Sequence, residues 1–176
     1  MHGTQELPPV QVQVPLNVLV KLETDKVNHH RLKLWRPGTV AITENSEGKI
    51  LLIRSTRSRN WGFPQGGVER DEDLIRGLVR ELYEETGIAV SEVRNFCLLD
   101  KQDIPNWERD GFTKGKRYYY FHVLCEGVPD VALQLSEVCD FQWLSPRRAE
   151  EFISAIGDEY RQKRESMLIA LKNAVG

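Results

Sequence analysis

The stretch GGVERDEDLIRGLVRELYEETGI, from Gly66 to Ile88, combines a glycine turn, a helix start and a dense set of carboxylates. Placed on a helix advancing about 100° per residue, Leu74, Ile75, Leu78, Val79 and Leu82 form one apolar stripe suited to a core. Glu81, Glu84 and Glu85 project together beside that stripe. Like charges at these spacings repel by roughly 0.2–0.5 kcal/mol per pair even on an exposed helix. A divalent cation is the natural compensation, while a solvated acidic face is the ordinary alternative. The spacing predicts a helix over Asp71–Thr86, capped by Asp71 and stopped by Gly87.

The remaining chain bounds the setting. Its 176 residues suffice for one domain with a full core. A hydrophobic share of 40% and a charged share of 28% are ordinary for a globular protein. A net charge of −2 argues against a coat for long nucleic acid but permits a local basic pocket for a short anion. Cys97, Cys125 and Cys139 lack metal-ligand spacing and read as free thiols in a reducing compartment. No apolar run approaches membrane-spanning length and the N-terminus has no signal-peptide layout, so a cytoplasmic location is expected.

Working outward, residues 1–9 read as a tail. Val10–Val14 and Leu16–Leu22 read as two strands broken by Pro15, adding a hairpin to the main sheet or a homodimer contact. Asp25–His30 reads as a loop with exposed histidines. A hairpin is predicted from Thr39–Thr43 and Lys49–Ser55 around the turn Asn45–Gly48, followed by strands at Val93–Asp100, Arg117–Cys125 and Val138–Leu144. Lys101–Lys116, with Trp107 and Phe112, reads as a long functional loop. Ser145-Pro146 opens a helix over Arg147–Ile156, and a last helix over Asp158–Ala174 turns Tyr160, Met167, Leu168 and Leu171 inward. The order of elements implies α+β architecture, an α/β/α sandwich around a mixed sheet. Two parts are expected: an N-terminal β extension over 1–35 and a main domain over 36–176.

Gly66, Glu72, Arg80-Glu81, Leu82, Glu84-Glu85, Gly87 and Ile88 occupy every fixed position of the Nudix box, and the chain resembles that family on these residues. The resemblance implies a loop–helix–loop motif in an α/β/α sandwich and Mg²⁺- or Mn²⁺-dependent hydrolysis of a nucleoside diphosphate linked to another group. It implies metal ligation by Glu84 and Glu85, with the Gly66 carbonyl as a further ligand and Glu81 as ligand or general base. Arg80 reads as structural, orienting a box glutamate, with Glu72 as its partner or a helper at the metal. This chemistry is intelligible: splitting a pyrophosphate bond requires neutralised nonbridging oxygens and an in-line water, and magnesium prefers carboxylates, phosphates and water.

Within the family, Trp61-Gly-Phe-Pro-Gln-Gly-Gly67 and Arg36-Pro37 resemble bacterial RNA pyrophosphohydrolases and related dinucleoside polyphosphate hydrolases. The same resemblance assigns Glu137 to completing the metal site or activating water. Arg36, Arg54, Arg57, Arg59, Gln65 and Lys116 are candidate contacts to substrate, phosphate above all, and Trp61 a base platform or a loop plug. Along Tyr118-Tyr-Tyr120 alternation sends the outer two one way and the middle one the other; Tyr119 is the candidate facing substrate. The first expectation is therefore removal of pyrophosphate from 5′-triphosphorylated RNA. A small-nucleotide hydrolase (dinucleoside polyphosphates, nucleotide sugars, ADP-ribose or nucleoside triphosphates) and a noncatalytic Nudix sensor are the alternatives, and the intact box argues against the sensor.

Overall fold

The computed structural model describes residues 11–12, 16–105 and 111–176. The expected tail over 1–9, the break at Pro15 and Trp107 lie outside the described residues. A mixed sheet forms the middle layer. Its central strand is β2 (Trp35–Glu44), which runs parallel to β7 (Gly115–Cys125) and antiparallel to β3 (Ile50–Ser55) and to the short β5 (Gln65–Gly67). Beyond β7 lie antiparallel β6 (Val93–Pro105) and then parallel β1 (Gln11–Val12). Beyond β3 lie β4 (Trp61–Gly62) and β8 (Val138–Leu144), both antiparallel to it.

Strand alternation separates two cores. Ala41, Leu51, Ile53, Tyr119 and Phe121 face the helix α2 (Leu74–Thr86), where Leu74, Leu78 and Leu82 are fully buried. Burial of this kind stabilises by about 1.5–3 kcal/mol per side chain. Val40, Ile42, Leu52, Tyr118 and Tyr120 face the opposite layer, built by α3 (Pro146–Ser154) and α4 (Arg161–Val175). The result is the expected α/β/α sandwich. Ser145 caps α3 as predicted, and Gly87 ends α2 with φ 74°, the left-handed value that glycine adopts at least cost. The three cysteines are free, with Cys125 buried.

Five sequence-based expectations change. Helix α2 starts at Leu74 and is capped by Asp73, which accepts from the Arg76 N–H at 2.8 Å, so Asp71 lies in the preceding turn. Leu16–Leu22 and Asp25–His30 are neither strand nor loop but one helix, α1 (Leu16–Leu32). Its inward positions Leu22, Lys26 and His29 follow helical spacing, yet two of them are polar, so the apolar pattern conceals the helix. His29 is buried rather than exposed. Among the described residues the expected N-terminal strands are represented by one short strand, β1, paired with β6. The loop expected over Lys101–Lys116 is shortened at both ends: β6 runs to Pro105 and β7 begins at Gly115. Tyr160 precedes α4 in a short helical turn and is exposed, so it is not part of that helix's inner face.

Candidate active site

The loop between β5 and α2 is tied to its own helix. Arg80 donates to Glu72 Oε1 at 2.6 Å and Oε2 at 3.0 Å, to Glu81 at 2.8 Å, to Glu84 at 3.0 Å and to the Gly67 carbonyl at 2.7 Å. One guanidinium fork thus fixes both ends of the loop and orients two box glutamates. Its carboxylate partners push Arg80 above its ordinary pKa, and its hydrogen bonds hold Glu72 below the usual carboxylate value despite partial burial. The expected structural role of Arg80 matches this geometry.

Gly66 explains its own presence. A Cβ on it would lie 1.8–2.1 Å from the Glu81 carboxylate, so only glycine lets that carboxylate rest against the β5 backbone. Glu85, one helical turn on, is 8% exposed and accepts from the Gln65 N–H at 2.8 Å. Burial raises both acids. Arg80 offsets part of the effect at Glu81, while Glu84 and Glu137 add repulsion there. Glu85 is pushed up to about 8 by burial and by Glu81 and Glu137, against the Gln65 N–H and the Lys163 ammonium.

These residues open onto a cleft of about 1120 Å³ lying between β2, β7, the loop after β3 and α4. Its lining includes the acids Glu85 and Glu137 with the Gly66 backbone, and the cations Arg36, Arg57, Lys116 and Lys163, of which Lys163 acts directly on Glu85. Arg36 and Lys116 sit side by side because β2 and β7 run parallel with these two residues in register. The Arg36 guanidinium lies against Gly67, 3.0 Å from where a Cβ would be. Lys116 Nζ bonds the Tyr118 hydroxyl at 3.3 Å. Glu137 is carried by an exposed loop that Thr56 clasps, its N–H and hydroxyl both donating to the Glu137 carbonyl, at 2.9 and 3.0 Å.

The cleft gathers most of the residues expected from sequence: Arg36, Arg57, Trp61, Gln65, Gly66, Glu85, Lys116 and Glu137. Five others are not among the lining residues: Glu81 rests its carboxylate against the Gly66 backbone, and four more take different places. Tyr119 is 0% exposed in the core on the α2 side, and Tyr118 faces the cleft instead, because the alternation that separates them points the outer residue inward to the site. Arg54 donates to the Arg59 carbonyl at 2.9 Å and stacks over Trp61 at 6.0 Å. Arg59, at φ 60°, turns to the Cys139 sulfur, so this pair shapes the loop and does not line the cleft. The Glu84 side chain is 48% exposed and engaged by Arg80. Trp61 meets Phe152 edge to face at 5.3 Å, so its ring both seals the loop and lines the cleft. Lys163 is absent from the sequence-based set. It comes from α4, where a lysine reads as surface, yet it is half-buried and its pKa is lowered, by burial first, with Glu85 opposing.

The donor set fits a divalent cation. Two buried carboxylates repel one another across a glycine left bare to seat one of them. Among the described residues no three His, Cys, Asp or Glu side chains form a closed metal cluster. An ion here would therefore share its shell with water and phosphate oxygens, the habit of magnesium.

Comparison with known proteins agrees with this geometry. The curated RNA pyrophosphohydrolase of Tolumonas auensis is 29% identical over 124 residues, covering 63% of this chain and 71% of that protein. The Serratia proteamaculans RNA pyrophosphohydrolase is 26% identical over 153 residues, covering 78% and 85%. Among solved structures, the E. coli dihydroneopterin triphosphate pyrophosphohydrolase superposes with a TM-score of 0.64 at 15% identity, over 81% of this chain and 97% of that one. A C. elegans Ap4A hydrolase gives 0.59 at 17% identity, over 78% and 93%. These last two share the fold. The family model described as NUDIX domain matches residues 34–165, three quarters of the chain, and the protein belongs to the Nudix family of pyrophosphate-bond hydrolases, which generally use divalent metal ions.

Proposed function

We propose that the protein removes pyrophosphate from the 5′ end of triphosphorylated RNA, with Mg²⁺ as its working cation and Mn²⁺ as a substitute. The observation that carries this reading is a cleft lined by both signs of charge: the box glutamate Glu85 with Glu137, and Arg36, Lys116 and Lys163, a donor set suited to a metal-bound polyphosphate. The FPQGG entry of the box loop and the RNA pyrophosphohydrolase relatives favour an RNA end.

In this reading Glu81, Glu84, Glu85 and the Gly66 carbonyl hold the metal, which supplies Lewis acidity at the phosphate and lowers the pKa of water. Glu84 joins the set by exchanging its bond to Arg80. Arg36 and Lys116 bind the nonbridging oxygens, and Lys163 orients the phosphate nearest Glu85. Glu137, exposed to the cleft and fixed by Thr56, accepts the proton of the attacking water, with Glu81 as the second candidate for that role. Tyr118, a neutral phenol raised to about 12 by burial, frames the basic wall through Lys116.

A panel of triphosphorylated RNA, Ap4A, ADP-ribose and nucleoside triphosphates, each with Mg²⁺ and Mn²⁺, tests the reading. The highest kcat/KM is expected on RNA; preference for ADP-ribose would overturn it. Alanine at Arg36 or Lys163 is expected to raise KM about tenfold, with a salt dependence weaker than in the parent protein. Unchanged kinetics at both positions would remove the basic wall from the site.

A further inference from the structure

We propose that α1, which lies before the first residue of the family match, is a brace for the catalytic loop, with Glu23 and His30 as positioning residues for hydrolysis. The loop leaves β5 at Gly67 and enters α2 at Leu74. From within it is held by Arg80 and Glu72. From outside, the Val68 N–H donates to the Pro37 carbonyl of β2 at 3.0 Å, and one helix holds the loop at two points a few residues apart: the ring Nε2 of His30 meets the Val68 carbonyl at 3.1 Å, and Glu23 Oε1 accepts from the Leu74 N–H at 2.8 Å. That N–H lies in the first turn of α2, where backbone donors have no partner within the helix. The second oxygen of Glu23 pairs with Lys26 at 2.9 Å, and Lys26 is itself 3% exposed, so the carboxylate is anchored at both ends.

The other side of α1 reaches the substrate wall. Asp25 accepts from Arg117 at 2.9 Å and from Lys101 at 3.2 Å, and Arg117 is forked onto Asp103 at 2.6 and 2.7 Å. Arg117 and Asp103 are the sequence neighbours of Lys116 and Ile104, which line the cleft. His29 adds a contact to the Arg117 guanidinium. One helix therefore joins the loop that seats Glu81 to the strands that present Lys116. Its attachment is polar and directional: Val20 and Val27 face solvent while Lys26 and His29 are buried. Contacts of this kind fix position more than they add bulk stability, and a small displacement of a catalytic group is costly in rate.

This assignment rests on the hydrolase reading for its rate measurement and is independent of it for its exchange measurement. In the full-length protein Glu23→Ala is expected to speed amide exchange at Leu74 at least about tenfold, with the amides of Ala41 and Tyr120 in the sheet unchanged. It is expected to lower kcat about tenfold with KM within twofold, since the loop moves and the basic wall does not. Glu23→Gln keeps an oxygen for the Leu74 N–H and is expected to recover most of both losses. An unchanged kcat in Glu23→Ala, a Gln variant no better than Ala, or faster exchange throughout the sheet would each overturn the brace. If the parent protein cleaves no phosphate anhydride, the proposed function fails, and exchange at Leu74 alone then decides whether α1 holds the loop.

Discussion

Glu85→Gln is expected to cut kcat on the order of 10³-fold with Mg²⁺ while stabilising the metal-free protein. The two effects share a cause. Glu85 is buried and crowded by Glu81 and Glu137, so its folded pKa is raised to about 8, well above that of an ordinary glutamate. A carboxyl whose folded pKa is raised binds protons more tightly in the folded state. Its penalty is absent below the unfolded value, grows as pH rises through the interval, and is complete above about 8. Glutamine keeps the acceptor for the Gln65 N–H without the charge. The metal-free variant should therefore melt at nearly the parent temperature at pH 4.5, and higher by several degrees at pH 8. Magnesium should raise the parent's melting temperature most at the alkaline end and the variant's far less. Differential scanning calorimetry at the two pH values, with and without Mg²⁺, measures all of this. A variant destabilised at pH 8 without metal would show that Glu85 is not a strained acid.

Gly66→Ala is expected to lose about 10²-fold or more in kcat although it adds only one methyl group and changes no charge. The added Cβ would fall within 2.1 Å of both Glu81 oxygens, closer than any real contact, so the carboxylate or the β5 backbone has to move. Glu81 is held by Arg80, and β5 by pairing of Gly66 with Thr39, so neither yields without disturbing the other. Because the clash is at the surface of the cleft and outside the apolar cores, the loss of stability should be modest beside the loss of rate. Steady-state kinetics with a thermal melt separates the two. An alanine variant with full activity would mean that Glu81 works from a different position.

How much of this was legible before the structure depends on what each segment uses for its contacts. The box was legible because glycine, arginine and glutamate do their work at fixed spacings along one loop and one helix, and because the stripe Leu74, Leu78, Leu82 carries the helical period. The strand pairs around Asn45–Gly48 and at Val138–Leu144 were legible for the same local reason. Helix α1 was not, since its buried face is Leu22, Lys26 and His29 and its valines point outward, the reverse of the usual pattern. The cap was misplaced because Asp71, Glu72 and Asp73 are all capable acids in succession, and only backbone geometry selects Asp73. Tyr119 was misassigned for a topological reason: alternation separates it from its neighbours, but which side meets the cleft depends on how β7 lies beside β2. Lys163 left no trace because its burial comes from the packing of α4 over a site formed about 80 residues earlier in the chain.

The parallel register of β2 and β7 also bears on how such a hydrolase diversifies. Arg36 lies opposite Lys116 and Gly38 opposite Tyr118, and Gly38 has no room for a side chain between that ring and the Gly66 carbonyl. Slipping β2 by one residue would turn Arg36 to the other face of the sheet, and slipping β7 would do the same to Lys116 and Tyr118. Insertions and deletions within these strands are thus closed to evolution and to the protein engineer alike. New substrates have to be reached by exchanging side chains at 36, 116 and 163 on a frame whose spacing stays constant.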